Sequence, residues 1–167
     1  MSSRQQNQVA AALFSQLAVL LNGKSPPLTC HFLGTTDQES AARLQASEVR
    51  IFDATEPSER AGYLFSSWMY VDFGSSSGFP IFLAEAMAAG LACIAWNTPA
   101  HRELIKHDRT GLLCDSHEQM LAYVTDLIES PERRLKLGNN ARKEAFSRFD
   151  IGAIKSTVIS AYGTDVI

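Results

Sequence analysis

Short apolar runs alternate with helical segments along most of this chain, and that alternation limits the fold more than any other feature. Runs of strand length occur at residues 28–33, 49–52, 69–73, 92–96 and 111–114, bounded by turn-forming residues. Between them the pattern turns helical. Residues 4–21 carry Val9, Leu13, Leu17 and Leu20 at helical spacing, before Asn22-Gly23 and Pro26-Pro27 stop the helix. Further helices are expected at 40–45, 57–66, 81–89 and 99–105. After Asp115, the pair Ser116 and Gln119 has capping-box spacing, and Met120, Val124, Leu127 and Ile128 form one stripe. The tail reads as helices at 131–138, 141–149 and 151–162. Such alternation implies an α/β fold of three layers, a parallel Rossmann-like sheet covered by helices on both faces. Ligands in such sheets bind beyond the C-terminal strand ends, so the loops after Leu33, Phe52 and Phe73 are expected to converge on one site.

A chain of 167 residues, 46% hydrophobic and 20% charged, suffices for one domain with a sizeable core, taken here as residues 1–167. The net charge of -3 does not favour nucleic acid as a partner. No apolar run reaches the roughly 18 residues that a membrane span requires, and no signal-peptide pattern is present, which together give a cytoplasmic expectation. Cys30, Cys93 and Cys114 are odd in number and lie in apolar runs, as buried reduced thiols do. His31, His101, His107 and His117 show no metal-ligand spacing, so neither a metal nor a cofactor is expected.

The chemistry concentrates in Ser77-Gly78-Phe79-Pro80-Ile81-Phe82-Leu83-Ala84-Glu85-Ala86-Met87-Ala88-Ala89-Gly90. A small, flexible loop runs into a helix whose exposed N–H groups and positive dipole end suit a phosphate. Pro80 falls where a missing N–H costs nothing. Glu85, on an otherwise apolar helix, needs a partner: sugar hydroxyls, or alternatively an internal salt bridge or cap.

This segment resembles the donor-binding motif of retaining glycosyltransferases with the GT-B fold (group 1, family 4 type), Glu-Gly-Phe-Gly/Pro-x-x-Leu-x-Glu-Ala-Met-Ala-x-Gly. The match is carried by Gly78, Phe79, Pro80, Leu83, Glu85, Ala86, Met87, Ala88 and Gly90. Glu103-Leu104-Ile105, Asp108-Arg109-Thr110-Gly111-Leu112-Leu113, and Pro131 to Arg142 are similar to later parts of the family pattern. The resemblance runs in register over residues 5–160. It implies the C-terminal, donor-binding half of a GT-B enzyme, which moves a sugar from a nucleoside diphosphate without a metal. It assigns the ribose to Glu85, and the donor sugar and phosphates to Ser77, Gly78, Phe79, Pro80, Ile81 and Gly34. No catalytic residue is assigned.

Three departures follow from the same comparison. Ser77 stands where the family has the first glutamate, and Gln6 where it has a phosphate-gripping lysine. The family's opening strand, central in the order 3-2-1-4-5-6, has no counterpart. The gap is expected to close by direct pairing of the runs at 28–33 and 69–73, or to be filled by another chain. The implied partners are a nucleotide sugar, an acceptor-domain chain, and self-association across the missing strand. Transfer by this chain alone is expected to be negligible. The alternative is a catalytically degenerate interaction or regulatory module. Basic residues on the tail helices, among them Arg133, Arg134, Arg142 and Arg148, read as a solvated face, with a membrane-surface contact as the lesser alternative.

Overall fold

The computed structural model of the protein describes residues 3–22, 28–34, 36–52, 56–74 and 78–150. The helix stop at Gly23, Pro26 and Pro27, the Gln6 side chain, Ser77 and the tail helix from Ile151 lie outside the described residues. Among the described residues five strands and seven helices follow one another: α1 (Ser3–Leu21), β1 (His31–Leu33), α2 (Gln38–Ala46), β2 (Arg50–Phe52), α3 (Pro57–Phe65), β3 (Met69–Asp72), α4 (Ile81–Ala89), β4 (Ala92–Trp96), α5 (Pro99–Leu104), β5 (Leu112–Cys114), α6 (His117–Glu129) and α7 (Pro131–Phe149).

Local chemistry sets several of these boundaries. Asp37 caps α2 by accepting from the Ser40 N–H, and Thr98 caps α5 by accepting from the His101 N–H with Pro99 next in line. Ser116 caps α6 through the Gln119 N–H, while the Gln119 side chain accepts from the Asp115 N–H one residue before the cap. Gly90 ends α4 in the left-handed conformation (φ 84°), with the Leu91 N–H returning to the Ala86 carbonyl. The two helices expected at 131–138 and 141–149 are one continuous α7. Gly138 is buried there and serves close packing rather than a break.

All strand pairs are parallel, but they form two sheets: β1 with β2, and β3-β4-β5. Direct pairing of β1 with β3, one of the two expected closures, is not formed. β4 is buried on both faces, as a central parallel strand should be. Its Ala92 and Ile94 pack with α1 and α6, and its Cys93 and Ala95 with α4, α5 and α7. A third cluster joins α1 and α2 to β1 and β2 through Ala11, Ala18, Leu44 and Val49. Phe14 of α1 touches Phe32 of β1 and Phe73 beyond β3, at centroid distances of 5.9 and 5.7 Å. One helix therefore bridges both sheets. Phe65 and Trp68 are 67% and 45% exposed.

Candidate functional site

α4 begins at Ile81, as expected, but Pro80 occupies its N-cap rather than its first turn and offers no capping side chain. The Ile81 N–H turns back to the Phe79 carbonyl (2.9 Å), and the Ala84 N–H makes the first helical bond, to Pro80 (3.1 Å). This leaves the N–H groups of Phe82 and Leu83 without an intrahelical acceptor at the positive end of the helix. Gly78, Phe79 and Pro80 lead into this start, with Phe79 and Ile81 both more than half exposed. The Phe79 ring rests edge-on against Phe149 at 5.7 Å. Gly34 closes β1 in the positive-φ region (φ 136°) and donates to the Phe52 carbonyl.

Glu85 has an internal partner. Arg60 of α3 approaches it as a fork, Nε to Oε2 at 2.9 Å and Nη2 to Oε1 at 2.8 Å. Arg60 keeps 9% of its side chain exposed and Glu85 keeps 30%. The guanidinium also lies over the Phe82 ring, 5.1 Å from its centroid. The salt-bridge alternative for Glu85 is thus realised. A carboxylate offers about four acceptor sites and the fork uses two, so the exposed side of Glu85 retains capacity for further donors. Nothing in the sequence pointed to Arg60, which lies 25 residues before Glu85 on another helix.

A second polar pair sits at the end of β3. Asp72 accepts the Gly74 N–H at 2.7 Å, and its other oxygen lies 3.5 Å from Nε2 of His101. The Nδ1 of His101, itself only 3% exposed, is 2.8 Å from the Trp96 carbonyl. Burial pulls the imidazole value down, but the hydrogen bond and charge of Asp72, with the Trp96 carbonyl, outweigh it and raise the value above 6.5. A value raised by folding contributes stability that is complete below the unfolded value and fades as pH rises through the folded one. The native chain is therefore expected to lose stability relative to His101→Gln as pH climbs from below about 6.5. Urea midpoints at pH 5.5, 7 and 8.5 measure this; parallel pH profiles for the two proteins would exclude it.

A cavity of about 790 Å³ lies between β1 and β3. Gly34, Asp72 and Gly74 line its end at the C-terminal edge of the strands, which brings the loops after Leu33 and Phe73 together, while the loop after Phe52 lies outside the described residues and Gly78–Ile81 and Glu85 are not among the lining residues. Among the described residues no group of His, Cys, Asp or Glu could hold a metal ion, and no helix is long and apolar enough to cross a membrane. The three cysteines are free; burial pushes Cys114 up to about 12 and Cys93 higher, so neither is a ready nucleophile. The tail cations have local partners: Arg133 reaches Asp108 and Asp126, Arg134 stacks on Trp68, and Arg148 donates to the Glu103 carbonyl.

Residues 2–144 match the family model "Glycosyl transferases group 1". An uncharacterized glycosyltransferase of Haemophilus influenzae is 28% identical over 130 residues, 74% of this chain and 37% of that protein. Spore coat protein SA of Bacillus subtilis is 35% identical over 81 residues, 47% of this chain and 22% of that protein. The chain thus spans well under half the length of these curated relatives. Among solved structures, the C-terminal domain of the group 1 glycosyl transferase LpcC from Francisella tularensis superposes with a TM-score of 0.73 at 19% identity, covering 90% of this chain and 94% of that one. Anabaena HepE in complex with UDP-glucose gives a TM-score of 0.74 at 15% identity, over 96% and 46% of the two chains. At such identities the superpositions establish the fold, a GT-B C-terminal Rossmann-like domain. With the family match extending over most of its length, the chain belongs to the group 1 glycosyltransferases.

Proposed function

We propose that this chain is the donor-nucleotide half of a retaining glycosyltransferase, holding a nucleoside-diphosphate sugar at the start of α4. The observation that carries this reading is the joint geometry of that helix start and Glu85. Among the described residues the N–H groups of Phe82 and Leu83 have no helical acceptor, which suits a diphosphate at that end, and a carboxylate held by Arg60 follows one turn later. The ribose hydroxyls donate to the acceptor sites of Glu85 that the guanidinium leaves open. Gly78, Phe79, Pro80 and Ile81 form the approach to the phosphates and sugar, and Ser77 and Gly34 are carried to the same ligand by the family resemblance alone. Amide dipoles stabilise the departing diphosphate, so the reaction needs no metal in this proposal. HepE, solved with UDP and with UDP-glucose, supports a nucleotide sugar as the ligand class.

Transfer itself requires an acceptor domain. Phe79, Ile81 and Phe82 leave 57%, 55% and 39% of their surface exposed around the donor helix, an apolar rim suited to a second domain. A cytoplasmic site of action belongs to the same proposal.

Isothermal titration of the chain with UDP, ADP and GDP tests it. Binding by one nucleotide is expected at about 0.1–1 mM, or about −5.5 to −4 kcal/mol, with no multiple turnover of the corresponding sugar donor. Submicromolar affinity or sustained transfer by the isolated chain would contradict the half-site reading. The glutamine at position 6 favours a second reading, a degenerate interaction module; it gains if no nucleotide binds to either the parent or Glu85→Ala.

A further inference from the structure

α1 is apolar on both of its long faces. Ala11, Phe14, Leu17, Ala18 and Leu21 turn inward and pack with α2, α6 and the sheets. The opposite side presents Val9, Ala12, Leu13, Gln16, Val19 and Leu20, of which Val9, Val19 and Leu20 are each about half exposed. After Arg4 the helix holds no charged residue at all. The exposed sides of its neighbours follow the ordinary rule for surface helices, with Glu39 and Arg43 on α2 and Glu118 and Glu129 on α6. A helix that is apolar all round is one that is covered all round.

The spacing of the outward residues says what cover fits. Val9, Leu13, Gln16 and Leu20 follow one another by four, three and four residues, the seam of a helix–helix pair. Ala12 and Val19 flank it. The seam reads the same from either end: turned about a point between Leu13 and Gln16, Val9 falls on Leu20 and Leu13 on Gln16. A second copy of α1 laid antiparallel therefore offers Leu20 to Val9 and Gln16 to Leu13, as a two-fold contact requires. The two Gln16 side chains then meet beside the axis, where each amide has a donor and an acceptor for the other. A single polar residue in an apolar seam fixes the register, and opposed helix dipoles favour the antiparallel sense. Beside the seam, Leu13, Gln16 and Leu20 with His117 and Leu121 of α6 line a dimple of about 50 Å³, which a facing side chain can enter. On the other flank Glu39 and Arg43 pair with each other at 3.8 Å, so α2 brings no unpaired charge to the contact. A lipid surface would instead call for cations along the helix, and α1 has none after Arg4.

We propose that the outward face of α1 is an interface between two copies of this chain, packed antiparallel about a two-fold axis between Leu13 and Gln16. The seam is about 17 Å long. With its flanks the contact falls at the small end of specific interfaces, about 1,200 Å² in all. The dimer is accordingly reversible, with a dissociation constant of about 10–100 μM. α1 and α6 pack on one face of β4 and α4 on the other, so the inference is independent of the donor-site reading.

Sedimentation equilibrium of the full chain without nucleotide, over about 5–500 μM, brackets that range. Val9→Glu and Leu20→Lys each set two uncompensated charges in the seam, and each is expected to weaken dimerisation about tenfold or more. Both positions are exposed in the single chain, so circular dichroism should report an unchanged fold. The two changes together are expected to restore the dimer to within about threefold of the parent, because each new carboxylate faces a new ammonium of the other copy. In a parallel pair the same double variant would set like charges against each other and stay monomeric. A parent chain monomeric throughout the range would overturn the proposal. So would a dimer indifferent to both single changes, or a double variant no stronger than either. A monomeric parent that floats with phosphatidylcholine–phosphatidylserine vesicles, and a Val9→Glu variant that does not, would assign the face to a lipid surface instead. Titration of the same variants with UDP, ADP and GDP is expected to match the parent, so failure of the dimer and failure of the donor site are read separately.

Discussion

Gly138→Ala is expected to destabilise the chain by about 3 kcal/mol, the upper end for overpacking a closed contact. A Cβ on Gly138 would lie 2.1 Å from the Gly90 carbonyl oxygen and 3.0 Å from its carbon. Both are backbone atoms at the left-handed turn that ends α4, so neither can rotate aside. The only relief is to move α7 away from α4 and β4, which opens the cluster around Met87, Ala141 and Ala145. Alanine's better helix propensity returns about 1 kcal/mol, too little to offset the displacement. Thermal melts should show a midpoint lower by about 6–12 °C for a domain of this size. Gly62→Ala is the matched control, since a Cβ there meets nothing within 4 Å. That helical substitution is expected to stabilise by about 0.5–1 kcal/mol. Equal stability of the two variants would refute the packing role of Gly138.

The second large effect concerns the pair that ties α3 to α4. Arg60→Ala strips the guanidinium from a partly buried carboxylate, and Glu85→Ala strands a nearly buried guanidinium. Each is expected to cost about 2–3 kcal/mol, below the roughly 3–5 of a fully buried pair because Glu85 is partly solvated. The double variant should lose less than the sum, since no charge is left uncompensated. Nucleotide affinity divides the two residues. Glu85→Ala is expected to abolish binding, because the acceptor itself is gone. Arg60→Lys keeps a positive charge but not the fork, and is expected to weaken binding about tenfold by loosening the carboxylate's orientation. Glu85→Ala with lowered stability but unchanged nucleotide affinity would leave the pair a purely structural bridge.

How much of this was legible in the sequence depends on the range of the interaction. α4 and β4 fall at residues 81–89 and 92–96, as read from local pattern, because Gly90 and the following apolar run carry their own stop and start signals. The caps at Thr98 and Ser116 are equally local. Gly138 misled, because a glycine that splits a helix and one that admits a neighbouring backbone look alike in one dimension. Arg60 and Asp72 were invisible as site residues, since their partners Glu85 and His101 lie on elements brought near only by the sheet order. Direct pairing of β1 with β3 could be proposed from the sequence. Its outcome could not, because whether two strand edges close or stay apart depends on the helix lying across them.

That helix gives the molecule an unusual mechanical coupling. No peptide hydrogen bonding links β1-β2 to β3-β4-β5 among the described residues, so the smaller sheet is joined to the larger one by side chains, Phe14 and its α1 neighbours on one face and the cluster holding Leu33, Tyr70 and Leu64 on the other. Cooperativity between the halves is consequently carried by greasy contacts whose strength falls on cooling, not by a directional ladder. On cooling, the smaller sheet is expected to open before the larger one, with its amides exchanging first.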